Sequence, residues 1–239
     1  MTGSHNTTRR PLIVAIDGPA GAGKSTVSKI LARRLRFTLV DTGAIYRCVA
    51  LKAVREGIAL DDDARLEALL ATLEVSFRVE EDVNHVFLEG EDVSDAIRTP
   101  ENSMAASQVS GRPVVRQRLL DLQRRLALSA KTGAILEGRD IGTVVFPDAD
   151  LKVFLFAQPE IRARRRFEEL FQRGTEKPLQ DVLAQQNRRD KEDSEREVAP
   201  LKAAPDAVLM DSSEMPLSEV VQNIEDLVGA RMSRGKGVD

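Results

Sequence analysis

Gly18-Pro-Ala-Gly-Ala-Gly-Lys-Ser25 constrains this chain more than any other stretch. The spacing Gly-x4-Gly-Lys-Ser is that of a phosphate-binding loop, and it acts only where a strand ends and a helix begins. Both neighbours are present. Leu12 to Ile16 is an apolar run short enough for a buried strand, and Val27, Ile30, Leu31 and Leu35 recur at helical spacing. Glycines let the backbone curl so that several N–H groups aim at one point, where the helix adds the positive end of its dipole. Lys24 brings a mobile point charge for outer phosphates, and the Ser25 hydroxyl is of the kind that ligates Mg2+.

A phosphate loop of this kind belongs to an α/β sheet, and the rest of the chain agrees. Leu12–Asp17, Phe37–Val40, Ala134–Gly138, Leu151–Phe156 and Ala207–Met210 read as buried parallel strands. Helical patterns alternate with them over Ser25–Leu35, Ile45–Glu56, Pro159–Gln172 and Pro216–Val228. One segment breaks the alternation. Val75–Val79 and His85–Leu88 read as a hairpin around the polar Glu80–Asn84, with Glu91–Val93 a third strand. Pro100 and Pro113 then each open a helix, the second running to Ser129. The expected fold class is therefore α/β: a five-stranded parallel sheet behind a phosphate loop with flanking helices, an insertion holding a small antiparallel sheet, and a helical lid. The expected boundaries are core at 11–60, 113–171 and 200–232, insertion at 61–112 and lid at 172–199, with tails at 1–10 and 233–239.

Bulk properties narrow the function. The 239 residues are 42% hydrophobic and 31% charged, which suits one soluble domain with insertions. A net charge of −3 argues against non-specific nucleic-acid binding. Cys48 is the only cysteine, so neither an intramolecular disulfide nor a cysteine-based zinc site can form; it reads as a small core residue. Apolar runs fall short of the roughly 18 residues a membrane span needs. Met1–Arg10 lacks the apolar centre of a signal peptide, so a cytoplasmic protein is expected, and separately a monomer.

In open α/β sheets ligands bind beyond the carboxyl ends of the strands. Asp41 to Arg47 follows the second strand and Glu137-Gly-Arg139-Asp140 the third, so Arg47 and Arg139 can converge beside the phosphate loop. Arg189, Asp193 and Arg196 are spaced to share one helical face, as are Arg162, Arg165 and Arg166. An arginine-rich segment near a phosphate loop suggests a lid over a transferring phosphoryl group. Such transfer needs positioning and charge neutralisation more than covalent help. An acceptor that is itself a phosphate, with a second pKa of about 6, is already a dianion and needs cations instead of a general base. The two histidines, His5 and His85, lie away from this cluster, in the tail and the hairpin.

Several stretches resemble one family closely. Ile16-Asp-Gly-Pro-Ala-Gly-Ala-Gly-Lys-Ser-Thr26, Asp41-Thr-Gly-Ala-Ile-Tyr-Arg47, Leu88 to Ser94, Ala106-Ser-Gln-Val109, Glu137-Gly-Arg-Asp-Ile-Gly-Thr-Val-Val-Phe-Pro147 and Arg196 to Leu201 are similar to bacterial cytidylate kinases. The likeness runs from about Leu12 to Val228. It implies ATP-dependent phosphorylation of CMP and dCMP with Mg2+. It places Gly18, Pro19, Ala20, Gly21, Ala22, Gly23, Lys24, Ser25 and Thr26 at the ATP phosphates, with Arg162, Arg165 and Arg166 in the lid segment on that side. It implies that Ser107, Arg116 and Asp140 hold the cytosine. Thr42 falls in the acceptor-site block, Arg47, Arg139 and Arg196 surround the acceptor phosphate, and Arg189 and Asp193 meet the ribose. Lys24, Arg139, Arg189 and Arg196 are the implied catalytic cations, and Ser25 the metal ligand. Ser25 stands where some relatives carry Gly, and Thr42 where some carry Ser; both changes keep the chemistry.

Two other readings compete. A different small-molecule kinase of the same fold, acting on another monophosphate or on shikimate, fits the loop and arginines alone. A nucleotide-dependent switch fits less well: the chain has no Asn-Lys-x-Asp stretch, and its Asp226-x-x-Gly229 lies in a helical pattern.

Overall fold

A computed structural model describes residues 10–80, 83–172 and 174–234. In chain order the first half holds β1 (Leu12–Asp17), α1 (Lys24–Leu35), β2 (Thr38–Asp41), α2 (Thr42–Arg55), α3 (Asp63–Ala71), β3 (Val75–Glu80), β4 (Val83–Leu88), β5 (Glu91–Asp92) and α4 (Pro100–Ser110). The second half holds α5 (Pro113–Leu128), β6 (Gly133–Gly138), β7 (Leu151–Phe156), α6 (Pro159–Gln172), α7 (Leu179–Glu195), β8 (Val208–Asp211) and α8 (Leu217–Arg234). A π-helical turn, Ile141–Val145, follows β6.

Five strands pair in parallel in the order β2-β6-β1-β7-β8, and β3-β4-β5 form a separate antiparallel sheet. The parallel sheet is covered on both faces, which explains why its strands read as continuous apolar runs. Alternate residues of β1 serve two layers. Ile13 and Ala15 pack with Val40, Leu136, Ile45, Val49 and Leu119 on the side of α2 and α5. Val14 and Ile16 pack with Leu31, Val153, Leu155, Val220 and Ile224 on the side of α1 and α8. Each of the larger of these side chains contributes roughly 1.5–3 kcal/mol by leaving water. The insertion joins the first layer through Leu66, Val86, Leu88, Val93, Ile97 and Val109. Cys48 lies buried in that layer, as expected.

Helix starts follow local chemistry. The Asp41 carboxylate accepts from Ala44 N at 2.9 Å, so α2 begins at Thr42 instead of the expected Ile45. Thr99 caps α4 ahead of Pro100, and Pro113 opens α5. The helix α3, capped by Asp62, was not foreseen. The hairpin turn is tighter than the expected Glu80–Asn84, because pairing continues to Glu80 opposite Val83; residues 81 and 82 lie outside the described residues. Arg10 is anchored to Asp148 and Asp150, at 3.0 and 3.4 Å, so the expected tail does not include it. Ser233 and Arg234 continue α8 instead of opening a tail. The rest of both expected tails, 1–9 and 235–239, falls outside the described residues. No helix among the described residues is long and apolar enough to cross a membrane.

Candidate active site

The carboxyl ends of β1, β2 and β6 bring the expected residues to one edge of the sheet. Gly18 leaves β1 at φ 145°, where a Cβ would lie 1.9 Å from the Leu155 carbonyl oxygen. Only glycine lets the loop pass β7 at that point. The loop ends in Gly23 at φ 91°, and Lys24 opens α1. The Lys24 ammonium is buried and donates to the Pro19 carbonyl at 2.7 Å. Burial and the Arg139 charge push its pKa well below the ordinary lysine value, against the pull of Glu137 and Asp17.

Ser25 Oγ donates to Glu137 Oε2 at 2.7 Å. Glu137 Oε1 is buried with no hydrogen-bond partner among the described residues. Burial, then the Asp41 charge, raise Glu137 to about 7 although Ser25 pulls the other way. A hydroxyl and a half-satisfied carboxylate side by side are oxygen donors suited to a hard divalent cation. Thr42 Oγ1 donates to the Glu137 carbonyl at 2.6 Å, tying the start of α2 to the end of β6.

Cations gather beside the loop. Arg139 Nε donates to Asp193 Oδ2 at 3.0 Å, and Arg196 Nη1 lies 3.4 Å from Asp193 Oδ1. Burial opposes the charge on Asp193, but Arg139 and Arg189 outweigh it and hold the carboxyl below its usual range. Burial and Arg139 together lower Arg189 to about 10. Arg47, on α2, lies 4.0 Å from Asp41, and its charge acts on both Glu137 and Arg189. The expected grouping of Arg189, Asp193 and Arg196 holds in space but not on one helix. Arg189 and Asp193 ride on α7, whereas Arg196 is in extended backbone just past its end, where it also donates to the Val198 and Ala199 carbonyls.

The three residues expected around a base lie on three elements. Arg116 of α5 donates to Asp140 at 2.5 Å and to the Ser110 carbonyl at 3.0 Å, and its guanidinium lies 5.4 Å from the centre of the Tyr46 ring. Arg116 and Asp140 are both buried; Ser107 is half-buried on α4. Asp17, the last residue of β1, accepts from Ile141 N and Gly142 N at 2.8 and 2.7 Å.

The arginines of α6 do three different things. Arg162, 4% exposed, donates to Ala20 O in the phosphate loop at 3.0 Å, to Ala157 O at 2.9 Å and to Asp190 of α7 at 2.5 Å. Arg165 donates to the Ser212 carbonyl, and Ser212 Oγ reaches Ala22 O at 3.1 Å. Arg166 pairs with Glu169 at the surface, at 3.0 Å. The first two therefore brace the loop through its backbone. All three precede the expected lid interval.

Sequence reasoning assigned no role to Asp17, Glu137 or Asp190. The first two had a readable signal: each is a carboxylate at the carboxyl end of an otherwise apolar strand. Asp190 sits in a charge-rich helix and carried none.

Known proteins resemble this chain over most of its length. The family model "Cytidylate kinase" matches residues 14–230. A cytidylate kinase of Geobacter sulfurreducens is 54% identical over 223 residues, covering 93% of this chain and 95% of its own. One from Azotobacter vinelandii is 47% identical over 224 residues, covering 93% and 97%. Among solved structures, an uncharacterized protein from Eubacterium ventriosum superposes with a TM-score of 0.50 at 12% identity, over 91% of this chain and 98% of that one. That last likeness concerns the fold alone.

Proposed function

The chain belongs to the cytidylate kinase family, and we propose that its arginine-lined cleft passes the γ-phosphoryl group of ATP directly to the phosphate of CMP or dCMP. It is an enzyme, a phosphotransferase of the P-loop nucleoside monophosphate kinase type. The observation that carries the mechanism is the crowding of like charge. Lys24, Arg139 and Arg189 are close enough that Arg139 lowers the pKa of the other two. Mutual repulsion of this kind is relieved by anions, and two phosphate chains supply them.

In the reaction an oxygen of the CMP phosphate attacks Pγ, the bond from Pγ to the β,γ-bridging oxygen breaks, and ADP leaves with that electron pair. The loop from Gly18 to Thr26 holds the donor phosphates, with Lys24 at the breaking bond. Arg47, Arg139 and Arg196 hold the acceptor phosphate, with Thr42 fixing the approach of α2. Arg189 and Asp193 meet the ribose side, and Arg189 shares the transferring charge. Arg162, Arg165 and Arg166 serve the ATP side. The first two act by holding the loop in shape through Ala20 and, via Ser212, Ala22.

Ser25 and Glu137 fit a Mg2+ ion, because the free Glu137 oxygen faces no other partner among the described residues. When bound, the ion would neutralise charge on the ATP phosphates. Asp140 accepts, Arg116 donates and Ser107 can do either. That polarity fits the N4 amino donor and the ring acceptors of cytosine and opposes uracil. Residues 61–112 form the acceptor-nucleotide insertion and 172–199 the lid, in a cytoplasmic monomer that needs no nucleic acid or membrane.

ADP release measured against CMP, dCMP, UMP, AMP and shikimate tests the proposal. Turnover with CMP and dCMP well above the rest is expected. A preference for AMP or shikimate, or GTP hydrolysis alone, would overturn it.

A further inference from the structure

The π-helical turn after β6 has an unusual cap. The residue that begins it, Asp140, is of the type that normally turns its carboxylate onto the first free amides of its own helix. Here it makes no such bond; its carboxylate goes to Arg116 at 2.5 Å. Gly142 N, two residues on and within reach of such a cap, and its neighbour Ile141 N donate to the two oxygens of Asp17, at 2.7 and 2.8 Å. Asp17 comes from the end of a different strand and is 5% exposed. The fit is close: a Cβ on Gly142 would lie 3.4 Å from Asp17 Oδ2 and 3.1 Å from the stem of Lys152.

We propose that Asp17 is a specificity-determining positioning residue: by capping the 141–145 turn from outside, it leaves Asp140 free to face the base. The inference rests on the reading of Asp140 as the residue that selects cytosine. The alternative conformation is local. Were Gly142 N left unpaired in this buried site, the Asp140 carboxylate, two residues back, would turn onto it. It would then leave Arg116 and the base edge. Asp17 therefore acts on acceptor choice although it directly precedes the ATP-phosphate loop. The charged groups around it come from three elements. Lys24 of α1 and Asp140 act on it through space, and the stem of Lys152 of β7 packs beside Gly142, while its ammonium is held by Pro147 O and Asp206.

The test uses Asp17→Asn and Asp17→Ser, which keep one acceptor oxygen, beside Asp140→Ala as the control for the underlying reading. For each, kcat/KM is measured with CMP and with UMP, KM for ATP is measured separately, and folding is followed by thermal melting. Both Asp17 variants are expected to fold, to lose about tenfold in the CMP-to-UMP ratio and to raise KM for CMP, with KM for ATP moving less than about threefold. An unchanged ratio in both Asp17 variants, when Asp140→Ala collapses it, would overturn the proposal while leaving the base reading intact. An unchanged ratio in Asp140→Ala would instead remove the base reading on which the proposal stands. Failure of both Asp17 variants to fold, or equal losses toward CMP and ATP, would assign Asp17 to the fold and overturn the proposal.

Discussion

The Arg116–Asp140 pair offers the sharpest test, because its two roles separate. The side chains are 7% and 9% exposed, and the bond between them is 2.5 Å. Asp140→Ala leaves a buried guanidinium without its counter-charge. Breaking such a pair from one side costs about 3–5 kcal/mol. Two contacts remain to Arg116, the Ser110 carbonyl at 3.0 Å and the Tyr46 ring at 5.4 Å. They argue for the lower end, about 3 kcal/mol, which in a chain of this size lowers Tm by roughly 6–12 °C. Removing the second charge as well, in Arg116→Met with Asp140→Ala, should restore much of the loss, since the uncompensated charge is gone. Neither the single nor the double variant should regain cytosine preference. Thermal unfolding without nucleotide and kcat/KM for CMP and UMP are the assays. The reasoning is refuted if Asp140→Ala melts within about 2 °C of the parent, or if the double variant is less stable than the single one by the full cost of a second charge.

Other outcomes follow from the same geometry. Lys24→Ala should cut turnover at least about a hundredfold while CMP still binds, as judged by calorimetry; near-normal turnover would remove the phosphate-loop assignment. Arg47→Ala and Arg139→Ala should each weaken CMP by about 1.5–3 kcal/mol while cytidine binding barely changes, and wild-type kinetics in both would count against an acceptor-phosphate role. The Cys48 thiol, fully buried and pushed up to about 12 mainly by that burial, should resist disulfide exchange at pH 8 in the folded protein and react once it unfolds; stoichiometric labelling of the native protein would contradict the buried placement.

How far the sequence reached is clearest at the strand ends. The β1 run, the phosphate loop and α1 were readable because Gly18, Gly23 and Lys24 have narrow physical uses and their neighbours carry clean periodicities. Arg47 and Arg139 could be brought together from topology alone, since parallel strands present their carboxyl ends on one side. The antiparallel sheet was visible in its β-formers. The helix α3 was not, because Asp63–Ala71 is short, carries a weak apolar stripe and depends on Leu66 and Leu69 meeting partners distant in sequence. Hydrogen-bond partners were out of reach for the same reason. Nothing in the string of letters says that Asp17 serves residues 141 and 142, or that Arg162 spends its donors on Ala20 and Asp190.

The layer shared by the insertion and the sheet sets a limit on how this molecule can be taken apart. Leu66, Val86, Leu88, Val93, Ile97 and Val109 belong to the same buried cluster as Ile45, Cys48, Val49 and Ala53 of α2. Cutting out residues 61–112 would bare the rest of that cluster to water, so the product should aggregate instead of surviving as a smaller kinase. Nor is the insertion a cartridge that could be grafted into another P-loop enzyme to carry its substrate choice along. Half of what holds it in place would stay behind in the donor. Urea should accordingly melt the substrate-choosing and phosphate-handling parts in one transition, and variation at Val49 or Leu88 should be felt in both.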